Sequence, residues 1–206
     1  MLENRVNPWG QLCAVADRGS LMGNRGILHG SSNEILRQWA HKSWVTCLLS
    51  YKGIKRPKPF SPGNYSELFF LDEATAFAAG HRPCTFCQRE RSMSFKKAWL
   101  SANVPIEQQS NFRLSSLDAQ LHQERVANGG SKNTYEAHVS ELPNGTIFQH
   151  SGHAYLIADG ACRQWSFQGY AVSQSPPSSA MVSVLTPRSV VAAFLQGFQP
   201  KVHPAG

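Results

Sequence analysis

Apolar residues fall in short runs over most of this 206-residue chain and take a helical period in only a few places. Leu12, Ala14, Val15 and Ala16 predict a short strand over 12–16, and glycines at 19, 23 and 26 predict turns rather than helix around it. Ser31 and Glu34 have capping-box spacing, and Ile35, Leu36 and Trp39 supply an apolar stripe, so a helix is expected over 31–41. A strand is expected over 44–49. A loop rich in Pro, Gly and Lys follows over 52–64, then a second strand over 65–71. Asp72 is placed to cap an alanine-rich helix that Gly80 ends. Met93, Phe95, Ala98 and Trp99 predict the next helix, and 101–113 reads as loop. Leu114, Leu117, Leu121 and Val126 make 115–128 the most amphipathic helix, stopped by Gly129 and Gly130.

Beyond residue 130 the period changes to two. Asn144-Gly145, Ser151-Gly152 and Asp159-Gly160 separate runs over 146–149, 153–158 and 162–167, the signature of an antiparallel meander with two-residue hairpins. A proline-rich loop over 173–179 and a strand over 181–185 follow. Thr186 then reads as the cap of a last helix, with Pro187 at its first position and its end near Gly197. The fold class expected is α+β, in one domain over 1–206. It has a metal-binding part over 44–100 packed against a meander and C-terminal helix over 133–200.

Composition adds three constraints. No apolar run approaches the length needed to span a bilayer, and the start lacks a cleavable signal pattern, so a cytoplasmic protein is expected. Five unevenly spread cysteines argue against a disulfide framework and for a metal site with spare thiols. The net charge of +7 is concentrated: residues 42–97 hold ten lysines and arginines against four acidic residues. Such a surface suits phosphate, and DNA is the expected partner. Lys52, Lys55, Arg56, Arg82 and Arg89 are the candidate phosphate contacts.

The chemistry centres on Cys84-Thr85-Phe86-Cys87. Two thiols three residues apart on a turn leading into a helix can reach one ion together, and zinc (Zn2+) suits such ligands best. The stretch Phe-Leu-Asp-Glu-Ala-Thr-Ala-Phe-Ala-Ala-Gly-His-Arg-Pro-Cys-Thr-Phe-Cys, residues 70–87, resembles the second half of the zinc domain of bacterial Ada-type proteins. Those proteins bind DNA and repair methylated phosphotriesters. The family holds zinc with four cysteines, two in an Ala-Ala-Gly-x-Arg-Pro-Cys-x-x-Cys phrase and two upstream at the end of a strand. The resemblance, over residues 44–91, implies that Cys47 is the third ligand. Tyr51 stands where the family has its other upstream cysteine. The fourth ligand is then His81, His29, His203 or water. Three thiolates with a neutral histidine leave zinc at −1 rather than −2, which weakens the nucleophile and argues for a structural site over methyl transfer to Cys47.

A second constellation lies on the amphipathic helix. Asp118 and His122 stand four apart, so the carboxylate could orient the imidazole as a general base for hydrolysis on DNA. Trp9, Trp165, Tyr170 and Phe198 could stack a base or fill a core. The first functional reading is therefore a zinc-binding, DNA-binding protein of repair or modified-DNA recognition. The alternative is a DNA hydrolase, a glycosylase or nuclease, with Asp118 and His122 as catalysts and a structural zinc. A module that docks an acidic protein is the third.

Overall fold

Two six-stranded sheets frame the molecule, with helices packed between and beside them. A computed structural model describes residues 1–54, 58–172 and 176–204. The first sheet contains β1 (Arg5–Val6), β2 (Leu12–Cys13), β3 (Leu21–Asn24), β4 (Val45–Leu48), β5 (Leu68–Phe70) and β6 (Arg82–Pro83), in the order β2-β1-β5-β3-β4-β6. Its centre is antiparallel, while β1 joins β5 and β6 joins β4 in parallel. Gly23 in β3 has a purpose: a Cβ there would meet the Phe70 ring at 2.3 Å, so its absence lets Phe70 lie across the strand.

The second sheet is the expected meander with two additions. It holds β7 (Tyr135–His138), β8 (Ile147–His150), β9 (His153–Ala158), β10 (Ala161–Ser166), β11 (Gly169–Val172) and β12 (Met181–Val184), all antiparallel, in the order β11-β10-β9-β8-β12-β7. Ser151-Gly152 and Asp159-Gly160 have positive φ at both positions, as tight hairpins require. Asn144-Gly145 does not join two strands. Instead the Gly145 N–H donates to Ile157 O and extends the β8–β9 ladder. The loop expected over 173–179 lies partly outside the described residues.

The helices are α1 (Glu73–Ala78), α2 (Arg89–Asn103), α3 (Ile106–Gln109), α4 (Leu114–Arg125) and α5 (Arg188–Leu195). α3 occupies part of the segment expected to be loop. No helix among the described residues is long and apolar enough to cross a membrane. The short α1 is the hub, with all six residues buried. Its alanines let three cores approach it. Ala74 and Ala78, with Leu71, meet Ile147, Leu156 and Leu185 of the meander. Phe77 enters a cluster with Phe95, Trp99, Leu121 and Phe194, and Ala76 meets Val6, Leu28 and Phe70. Burial of each such large side chain stabilises by about 1.5–3 kcal/mol. Asp72 caps α1 as expected, accepting from Thr75 N at 2.8 Å, and Gly80 ends the segment with φ +85°.

Two expected elements are corrected. Residues 31–41 form no helix: His29 bridges Ile35, and Asn33 turns with φ +66°. The Glu34 carboxylate accepts from Ser32 N, so the capping-box spacing closes a turn. Thr186 does not cap α5, because its hydroxyl is fully buried and accepts from Ile147 N. The N-terminal turn of α5 is satisfied from α4, where Glu124 accepts from Ser189 N and Oγ at 3.0 and 2.7 Å.

Candidate metal centre

β4 runs between β3 and β6, and this pairing assembles the cysteines. Val45 pairs with Arg82 and Thr46 with Pro83, and Cys84 N continues the ladder to Thr46 O at 2.9 Å. The Cys84-Thr85-Phe86-Cys87 turn closes when Gln88 N donates to Cys84 O, and α2 starts at Arg89. The Gln88 side chain then reaches back to Thr46 O at 2.9 Å and Thr46 Oγ1 at 3.2 Å, clamping the turn to β4. The result brings Cys47, Cys84 and Cys87 together, with all three sulfurs within 4.8 Å of one another.

The donor set is chemically prepared for a cation. Hydrogen bonding from the Cys47 thiol, helped by the N–H groups of Cys87 and Phe86, pushes the Cys84 thiol down to about 5 against burial. Phe86 N lies 3.4 Å from Cys84 Sγ. The same hydrogen bond to Cys84, with burial, drives Cys47 far up, so Cys84 is the member of the cluster that ionises most readily. Cys87 is raised by burial, opposed by the Leu48 N–H. Soft thiolates held by backbone donors fit zinc or a similar thiophilic ion.

The other expected ligands lie elsewhere. His81 is buried at 1 % exposure, outside the sulfur group, and its Nε2 accepts from Arg25 Nε at 3.2 Å. Burial, with Arg25, Arg125 and Lys132 nearby, holds this imidazole well below its usual range, hence neutral. His29 stacks on Phe60 and bonds Ser66 Oγ, and the backbone N–H of His203 serves Asp72. Tyr51 packs edge-on to Phe86, which is 64 % exposed at the tip of the turn.

The candidate phosphate contacts fall into three groups. Lys52 and Arg89 are exposed near the cysteine turn, whereas Lys55 and Arg56 lie outside the described residues. Arg82 is no surface cation. It is 3 % exposed and grips Asp118 with Nε and Nη2 at 2.6 and 2.8 Å, with Ser43 Oγ as a third member. This overturns its assignment to phosphate.

It also breaks the expected catalytic pair. Asp118 is turned to Arg82 and Ser43, while His122 Nδ1 contacts Arg125 Nη2 at 3.1 Å and its ring meets Trp39 and Trp44 edge-on. Burial and the Arg125 charge push His122 down to about 4. The two residues share a helix without a hydrogen bond between them.

Sequence reasoning also missed a buried cationic stack behind the site. The guanidinium carbons of Arg25 and Arg125 lie 4.1 and 3.8 Å from the Trp44 ring. Arg125 donates to Gly80 O and Lys132 to Ala78 O, placing charge at the carbonyl end of α1. No signal short of the fold announces this stack, since its members come from four separated segments. Comparison with known protein families, curated proteins and solved structures finds no significant match.

Proposed function

We propose that Cys47, Cys84 and Cys87 hold a zinc ion and that the protein binds DNA around it, in repair or in recognition of modified DNA. The observation that carries this reading is the convergence of three sulfurs from β4 and the turn before α2. Bound zinc would tie β4 to the start of α2 and leave one coordination position to water or an incoming ligand. With three thiolates the centre keeps a single negative charge, so the surrounding surface stays cationic. Lys52 and Arg89 supply phosphate contacts there, and the exposed Phe86 beside Tyr51 offers a ring edge and face to a base. The resemblance of residues 44–91 to Ada-type domains supports the same function. The hydrolase alternative has no support from Asp118 and His122, which face different partners.

Metal analysis of wild type and Cys84→Ser, followed by fluorescence anisotropy with duplex DNA from 50 to 200 mM salt, tests the reading. One zinc per chain, lost in the variant, is expected. DNA affinity should fall with salt, and Lys52→Ala or Arg89→Ala should each reduce the log–log slope by about 0.9. A metal-free wild-type protein, or an affinity indifferent to salt, removes it.

A further inference from the structure

The meander holds a polar oddity far in sequence from Cys47, Cys84 and Cys87. Arg163 lies on β10 opposite Leu156 of β9, and strand alternation puts it on the same face as Trp165. That face carries Leu156, Tyr170 and Trp165 into the core against α1. Arg163 is half-buried, and its guanidinium brings five donors to this face where solvent still reaches them. The other partly or fully buried arginines among the described residues all have acceptors: Arg5 and Arg25 on carbonyls, Arg82 on Asp118, Arg91 on Glu73 and Arg125 on carbonyls. The Arg163 guanidinium has no hydrogen bond, ion pair or ring contact among the described residues.

What it has instead is space. A cavity of about 340 Å³ opens beside it, of a size that accepts a small organic ligand. Tyr170 walls it on the meander side, its hydroxyl already donating to Asp72 Oδ2 at 2.9 Å. Pro200, Val202 and His203 wall it on the other, where residues 199–203 are held across α1 by Arg91, Glu73 and Asp72. Asn144 adds an amide at the rim. The cavity thus combines a guanidinium that has no partner among the described residues with rings and aliphatic walls, and the acidic residue Asp159 also lines it, in no ion pair with Arg163.

We propose that this cavity binds a small organic anion, with its phosphate or carboxylate group on the Arg163 guanidinium and a ring-sized apolar body between Tyr170 and the Pro200–Val202 wall. A guanidinium fork takes either group through two parallel hydrogen bonds, while the flanking walls cover the apolar body. The site stands apart from the cysteine cluster and from the DNA reading, since neither supplies a residue to it.

Calorimetric titration of the full chain with phenyl phosphate, benzoate and the uncharged benzyl alcohol tests the proposal. One saturable site for at least one of the two anions is expected, with benzyl alcohol much weaker. Arg163→Gln should weaken that binding at least about tenfold, the loss of a charged hydrogen-bonded contact. Val202→Trp, which leaves the guanidinium in place and fills the cavity, should abolish binding as well, so the result does not rest on one variant folding. Wild-type protein that binds neither anion, or variants that bind them as wild type does, would overturn it. Competition by a 5′-phosphorylated trinucleotide, against its 5′-hydroxyl form, then separates a nucleic-acid end from a free small molecule.

Discussion

Asp118→Ala is the perturbation whose cost follows most directly from the structure. Asp118 and Arg82 are 6 and 3 % exposed, and the carboxylate takes both Nε and Nη2 of the guanidinium. Removing the carboxylate leaves Arg82 buried, charged and bonded only to Ser43 Oγ and Pro83 O. Breaking a buried pair from one side costs about 3–5 kcal/mol, because the surviving charge cannot regain water. With a urea dependence of about 2 kcal/mol/M, the midpoint of unfolding should fall by roughly 1.5–2.5 M. Urea titration followed by tryptophan fluorescence measures it. The double replacement Arg82→Met/Asp118→Leu, which removes both charges and keeps apolar volume, should recover most of the loss. A cost under about 1 kcal/mol for Asp118→Ala, the value for an exposed pair, would refute the argument. Because Arg82 sits two residues before Cys84 on β6, the same variant should also bind metal more weakly.

Three further outcomes are expected. In metal-free protein at pH 6.5, iodoacetamide should label Cys84 well before Cys13, Cys47 and Cys162, whose thiols burial or hydrogen bonding raises; peptide mass spectrometry showing equal labelling contradicts the thiolate assignment. Gly80→Ala places a Cβ 2.3 Å from Arg125 Cδ at φ +85°, so thermal melting should show a loss of about 1–3 kcal/mol. Stability should also fall as the pH drops from 6.5 toward 4. His81 and His122 are held below their unfolded values, so their contribution is present above pH 6.5 and is lost as the pH falls through the folded values. His122→Asn should flatten part of that loss in pH-dependent urea titrations.

Some of this was readable from the chain alone, and the reasons are local. Asp72 and Gly80 bracket α1 because capping and a left-handed stop depend on immediate neighbours. The Ser151-Gly152 and Asp159-Gly160 hairpins and the cysteine turn are legible for the same cause. The spacing of Ser31 and Glu34 misled, because one carboxylate can satisfy a turn N–H as well as a helical one. Arg82 misled more seriously: charge sign shows on the page, but its partner stands 36 positions away on α4. β7, with alternating half-buried and exposed residues, is too polar to register as a strand. Arg163 was visible in principle, since alternation from Trp165 already puts it inward, but its lack of a hydrogen-bond partner among the described residues appears only in the fold.

α1 has a consequence for how this protein can be taken apart. Its buried faces belong to the first sheet, the meander and the α2–α5 layer, and Asp72 at its start also receives Tyr170 and the His203 N–H. The cysteine turn is therefore no portable cassette: excised as residues 44–100 or grafted onto another scaffold, it would lose the surfaces that hold its helix, and a metal ion alone would not restore them.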